Sequence, residues 1–263
     1  MITPSALKKI IDYYWDPNKD AFSRADVTPA FIKDSEKYIK GKWLYRGRQG
    51  NQTNKDKFKI ALTGSFDYTS RGNIDSWTYD FENGRKHARK DGLIMRIPKT
   101  RVDVVASMGL AVDLLYTVPM PEEYVIDTIE NYKSEKEIII ERVSHKFTLR
   151  DLVVMFNKKE VQEMQSTGSK NSDFIFHSTK SDIFQLDTVD PRKLTVDGKQ
   201  PASTDIDIID KLKSLYEDEK VYPPVIDEKM NILDGVHRVI AAKQLHLTKI
   251  VVLKRVKFPA FND

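Results

Sequence analysis

The sequence predicts an α+β chain in two domains, and three observations carry that prediction. Ile138-Ile139-Ile140 is too apolar and too β-branched to be anything but a buried strand. Residues 157–173 gather Lys158, Lys159, Gln162, Gln165, Ser166, Gly168, Ser169 and Asn171 after one short helical turn, which is a linker composition. Beyond that stretch the chain has its own succession of strands and helices, and 263 residues with 40% hydrophobic content can bury one large core or two modest ones, of which two is the better expectation. The expected division is residues 1–157, a linker at 158–173, and residues 174–263.

Taken in order, Pro4 and Ser5 open a helix over residues 6–15, with Leu7, Ile10, Ile11 and Tyr14 on one face, and Asp16-Pro17-Asn18 ends it. Thr28-Pro29 opens a second helix over 30–39. Lys42-Trp43-Leu44-Tyr45-Arg46-Gly47 is an apolar segment ending in Arg and Gly. Residues 48–59 are polar and read as an exposed loop, 60–65 as a short strand, and 66–73 as a loop rich in Ser, Thr, Gly and Tyr. That loop is either a surface turn or a close approach to a nucleotide. After Asp75-Ser76-Trp77-Thr78-Tyr79 comes a helix over 82–90, closed by Asp91-Gly92 in the left-handed manner, and then a strand at 93–98. Residues 102–115 are apolar without a clean period, so helix and strand both stay open. In the second domain, 186–194 is extended, 206–216 is an amphipathic helix, 239–245 is a helix and 249–256 a strand.

Composition excludes some classes. There is no cysteine, hence no disulfide or thiolate-zinc site, and the five histidines lack metal-ligand spacing, so no metal is implied. With no apolar signal core and no spanning run of 18 residues, the expectation is a soluble, cytoplasmic protein without a membrane partner. The net charge of +4 lies wholly in residues 1–173, which carry 29 Lys+Arg against 25 Asp+Glu; the remainder carries 14 of each. That excess permits a phosphate-rich partner without requiring one.

The candidate chemistry sits at the mouth of the isoleucine strand. Alternation along an extended chain would send Glu135 and Glu137 to one face, so both could act on one bound molecule. Glu122-Glu123 is the weaker rival, because adjacent acids on a strand face opposite ways. With Arg46 on one upstream strand and Ser76 and Thr78 on another, the ordered set resembles the arginine-specific mono-ADP-ribosyltransferases over about residues 40–150. That resemblance implies a mixed β-sandwich domain with N-terminal helices and NAD as substrate. In its terms Arg46, Gly47, Ser76, Trp77 and Thr78 bind NAD, Glu137 is the catalytic acid held by Ser76, and Glu135 serves the acceptor. The acceptor it implies is a protein with an accessible arginine, or alternatively a nucleic acid, as for a bacteriophage or bacterial effector. With water as acceptor, the same set would make an NAD glycohydrolase.

In the second domain, Asp234-Gly235-Val236-His237-Arg238 opens a helix, and the surrounding order resembles the ParB/sulfiredoxin superfamily over most of residues 183–257. A Gly lets backbone approach closely, and a helix N-terminus with a nearby Arg suits an anion. The resemblance implies a small α/β domain with a phosphate site at Gly235, His237 and Arg238, a nucleoside triphosphate as ligand, and Asp205 or Asp207 as the accompanying acid. Val236 stands where the sulfiredoxin cysteine would be, which excludes sulfinic-acid repair. The open alternatives are a retained fold without catalysis and a nucleotide-dependent DNA-binding or phosphotransfer module that is itself the working part. His177 faintly resembles the His strand of another transferase class, without partner motifs, and reads as structural.

Overall fold

A computed structural model describes residues 2–15, 22–121, 125, 128–129, 132, 136–166, 182–218 and 221–261. Among these the chain is mixed α/β with mostly antiparallel strand pairing, in keeping with the α+β expectation. It divides into two compact units, each drawn from three chain segments. The first takes Met1–Gly47, Asp67–Ala88 and Ile94–Lys146, and the second takes Arg48–Phe66, Arg89–Leu93 and Phe147–Asp263. The expected linear division at 158–173 differs from this, because residues 48–66, 89–93 and 147–157 pack with the second unit. Lys158–Ser166, expected as the start of a linker, is a helix that buries Val161 and Met164.

The first unit opens with α1 (Pro4–Trp15), whose Ala6, Leu7, Ile10, Ile11 and Tyr13 are buried, and α2 (Pro29–Glu36). The Thr28 hydroxyl caps α2 by accepting from Phe31 N at 3.2 Å, and Pro29 fills the first turn, where no amide partner is needed. Then come β1 (Trp43–Arg48), β2 (Ser65–Thr69), β3 (Ile74–Thr78), α4 (Phe81–Ala88), β4 (Leu93–Pro98), β5 (Val104–Ser107), α5 (Met108–Leu115), β6 (Glu137–Glu141) and β7 (Ser144–Thr148), with α3 (Asn51–Thr63) lying in the second unit. The sheet order is β4-β1-β3-β6-β5, antiparallel at β1·β3, β3·β6 and β5·β6. Ile138, Ile139 and Ile140 are fully buried, as their composition demands. The open segment at 102–115 is both things: Ser107 ends β5 and caps α5, accepting from Leu110 N at 3.5 Å. The close of α4 falls to Arg89 at φ 56°, not to Asp91-Gly92.

Two expectations between 48 and 73 are corrected. The "exposed loop" at 48–59 and "strand" at 60–65 are one helix, α3, between Gly50 (φ 95°) and a left-handed Gly64. Its buried stripe is Thr53, Lys57, Ile60 and Ala61, so two polar residues occupy core positions and disguise the period. Residues 66–73 are not all loop, because Phe66 and Tyr68 alternate inward on β2.

Lys57 is fully buried, and that is sustainable only because it is paired. Its Nζ donates to Glu160 Oε1 at 2.7 Å and to the Asp91 carbonyl, and lies 4.7 Å from the centre of the Phe156 ring. Burial pushes the ammonium pKa down, opposed by Glu160 and Asp91. Glu160 and Asn157 cap one another at the start of α6 (Lys158–Ser166), with reciprocal bonds of 3.0 Å.

The rest of the second unit is β8 (Leu152–Phe156), β9 (Ile183–Val189), α7 (Ile206–Glu217), β10 (Val225–Ile226), β11 (Ile232–Asp234), α8 (Val236–Gln244) and β12 (Ile250–Val256). Its sheet order is β8-β9-β12-β10-β11, with β10·β12 parallel and the other pairs antiparallel. Among the described residues no helix is long and apolar enough to cross a membrane.

Candidate functional site

Arg46, Ser76 and Glu137 lie on three consecutive strands of the first unit, β1, β3 and β6. The register sets Tyr45 opposite Thr78, Thr78 opposite Glu137, and Ser76 opposite Ile139. Ser76 Oγ donates to Glu137 Oε1 across the diagonal. Arg46 Nη1 donates to the Asp75 carboxylate and, at 2.5 Å, to the Ser76 carbonyl. Both bonds leave from Nη1, so neither uses the Nε/Nη2 edge of the guanidinium fork.

Asp75 is the site residue that sequence reasoning passed over. It is 5% exposed and gathers donors from every side. Oδ2 accepts from Tyr68 Oη at 2.6 Å, Ser70 Oγ at 2.8 Å and Trp77 Nε1 at 3.2 Å, while Oδ1 accepts from Arg46 and from Ser76 N at 3.1 Å. A buried carboxylate survives only with such satisfaction. The signal was available: alternation sets Asp75 on the face of buried Trp77, where an acid must find donors.

Two other expected residues turn inward. Gly47 was expected against NAD, yet a Cβ there would fall 1.9 Å from the Gly84 carbonyl and 2.6 Å from Ala88 N, so this glycine lets β1 pack directly on α4. Trp77 is buried, with its indole N–H on Asp75. Thr78 Oγ1 donates to the Lys136 carbonyl at 3.2 Å and accepts from Asp80 N at 3.1 Å. Glu135, Glu122, Glu123 and His177 lie outside the described residues. The same-face argument for Glu135 and Glu137 needed extended backbone through 135–137. The strand begins only at Glu137, and Lys136 is left-handed at φ 50°, so simple alternation does not apply there.

Burial raises two phenols beside this cluster to a pKa of about 12, Tyr13 with help from the charges of Asp75 and Glu137, and Tyr68 with help from Asp75; Arg46 opposes the shift in both. A pKa raised in the folded state means stability that is complete below the ordinary value of 10 and is lost as pH climbs toward 12. Each phenol accounts for about 2–3 kcal/mol over that window. Denaturation midpoints should therefore fall steeply above pH 10, and less steeply for Tyr13→Phe; identical slopes for wild type and Tyr13→Phe would place Tyr13 in water.

In the second unit Gly235 is left-handed (φ 88°) and starts α8. Arg238 is turned into the protein, with Nη1 on the carbonyls of Tyr222 and Pro223, each at 3.0 Å, and Nη2 on Gln165 Oε1 and on Asp234 Oδ2 at 3.0 Å. Two of its four bonds brace the chain before β10 and the other two tie it to α6 and to the end of β11, which is a structural employment for a residue expected at a phosphate. His237 Nε2 meets Ser203 Oγ at 2.9 Å. Asp205 caps α7, accepting from Ile208 N at 3.3 Å, and Asp207 is exposed in its first turn. Among the described residues no three His, Asp or Glu side chains are grouped to hold a metal ion.

No family model matches the chain, and no curated protein matches it. Among solved structures it is similar to a Pnob8-like ParB-N domain, at 23% identity over 27% of this chain with a TM-score of 0.23. The matched part spans 30% of that structure, too small a share to assign a fold.

Proposed function

We propose that the first unit is a mono-ADP-ribosyltransferase that moves ADP-ribose from NAD to an arginine of a protein acceptor, releasing nicotinamide. The observation that carries this reading is the hydrogen bond from Ser76 to Glu137 across adjacent strands, with Arg46 on the next strand over. In the reaction the glycosidic bond to nicotinamide breaks, the electron pair leaves with nicotinamide, and positive charge develops on the ribose. A carboxylate fixed by Ser76 is preorganised for that oxocarbenium character. A guanidinium nitrogen of the acceptor then forms the new bond and gives up a proton to Glu135. Arg46 supplies a planar fork for the NAD diphosphate. Asp75 and the Ser76 carbonyl hold the guanidinium by Nη1, away from its Nε/Nη2 edge. Nothing at Arg238 favours the second unit as the working part, since its guanidinium is committed to protein groups.

Incubating the protein with labelled NAD and a host lysate tests the reading. Label on protein supports it; free ADP-ribose alone makes the enzyme a glycohydrolase, and label on nucleic acid changes the acceptor. No turnover removes the reading. Glu135→Gln should block transfer to arginine by about 100- to 10000-fold, the range of a general base, while sparing slow NAD hydrolysis. Equal loss of both would reduce Glu135 to a support for Glu137.

A further inference from the structure

We infer that Lys136 and Asp80 form a backbone clamp that sets the position of Glu137. This rests on the reading of Glu137 as the catalytic carboxylate. Lys136 directly precedes β6 and holds φ 50°, a conformation that L side chains avoid and that persists only where neighbouring structure enforces it. The enforcement is a closed ring of contacts. Thr78 Oγ1 holds the Lys136 carbonyl at 3.2 Å, Asp80 N holds Thr78 Oγ1 at 3.1 Å, and the Asp80 carboxylate pairs with Lys136 Nζ. Asp80 is anchored in turn, because its Oδ1 accepts from Glu82 N at 2.9 Å and Asn83 N at 3.3 Å at the start of α4. The ring therefore ties the residue before Glu137 to the end of the strand that carries Ser76.

The ion pair itself is half in water, with side chains 45% and 23% exposed, so it contributes little to global stability. What it restrains is local. Without it, Lys136 can leave the left-handed region, and Glu137 moves with it, away from Ser76.

Three variants test this. Asn caps a helix as well as Asp does, so Asp80→Asn keeps α4 capped and removes only the negative charge that faces the Lys136 ammonium. NAD turnover by Asp80→Asn should fall about tenfold in kcat at unchanged KM, because Arg46 is untouched. Lys136→Ala, which loses the ammonium while keeping the Cβ that opposes a left-handed backbone, should fall as far. Adding Lys136→Gly to Asp80→Asn should recover most of the rate, since glycine adopts that conformation freely. Failure of glycine to rescue, or a kcat for Asp80→Asn equal to wild type, overturns the clamp. Hydrogen exchange at the amides of Ile138 and Ile139 reads the same clamp without NAD. Exchange should quicken in Asp80→Asn and slow again in the glycine double variant, and it should do so even if wild type turns over no NAD, the outcome that removes only the transferase reading.

Discussion

Glu137→Gln is expected to lower both transfer and NAD hydrolysis by about 100- to 1000-fold, the usual loss when one electrostatic partner of a developing charge is removed. The fold should survive, because Gln keeps an oxygen for Ser76 Oγ and Glu137 is only partly buried at the edge of its strand. What disappears is the negative charge that meets the ribose cation. Initial rates of nicotinamide release, with circular dichroism as a check on folding, decide the matter. Activity within a few-fold of wild type would remove Glu137 from the chemistry and turn attention to Glu122 and Glu123.

The second large effect is on stability. Asp75→Asn should destabilise the first unit by about 3 kcal/mol, the low end of the range for breaking a buried ion pair, since the Arg46 side chain retains 29% exposure. The amide would also set an N–H₂ against the donors that now converge there: either Arg46 and Ser76 N, or Tyr68, Ser70 and Trp77. Trp77 sits against this carboxylate, so its fluorescence in a urea titration reports the unfolding directly. An unchanged midpoint would mean that the network relaxes around a neutral group.

These two residues mark how far the sequence was legible. The isoleucine run, the Thr28-Pro29 helix start and the apolar stripe of α1 are local patterns, and the structure follows them. The Arg46, Ser76 and Glu137 segments read as strands and are β1, β3 and β6, while their adjacency in one sheet is not written in any one segment. What escaped reading were polar residues at core positions. Lys57 and Thr53 look like surface until Glu160, 103 residues from Lys57, explains the lysine. Asp75 looks like the edge of a motif until its five donors are assembled, three of them, Arg46, Tyr68 and Ser70, from outside its own segment. Gly47 looked like a ligand contact because a missing side chain says only that something comes close, and here that something is the backbone of α4. Arg238 misled in the same way: a guanidinium at a helix start suits an anion, but carbonyls satisfied it first.

The Lys57–Glu160 pair also bears on how the chain is made. Translation at about 5–20 residues per second delivers Glu160 roughly 5–20 s after Lys57 has been synthesised. During that interval α3 has no counter-charge for its central lysine and cannot be buried in final form. Both compact units draw on chain segments on either side of residue 88, so neither can be completed from the early part of the nascent chain. The order of completion thus runs against the order of synthesis: the first unit has all its segments once Lys146 is made, while α3, translated earlier, waits for β8 and α6.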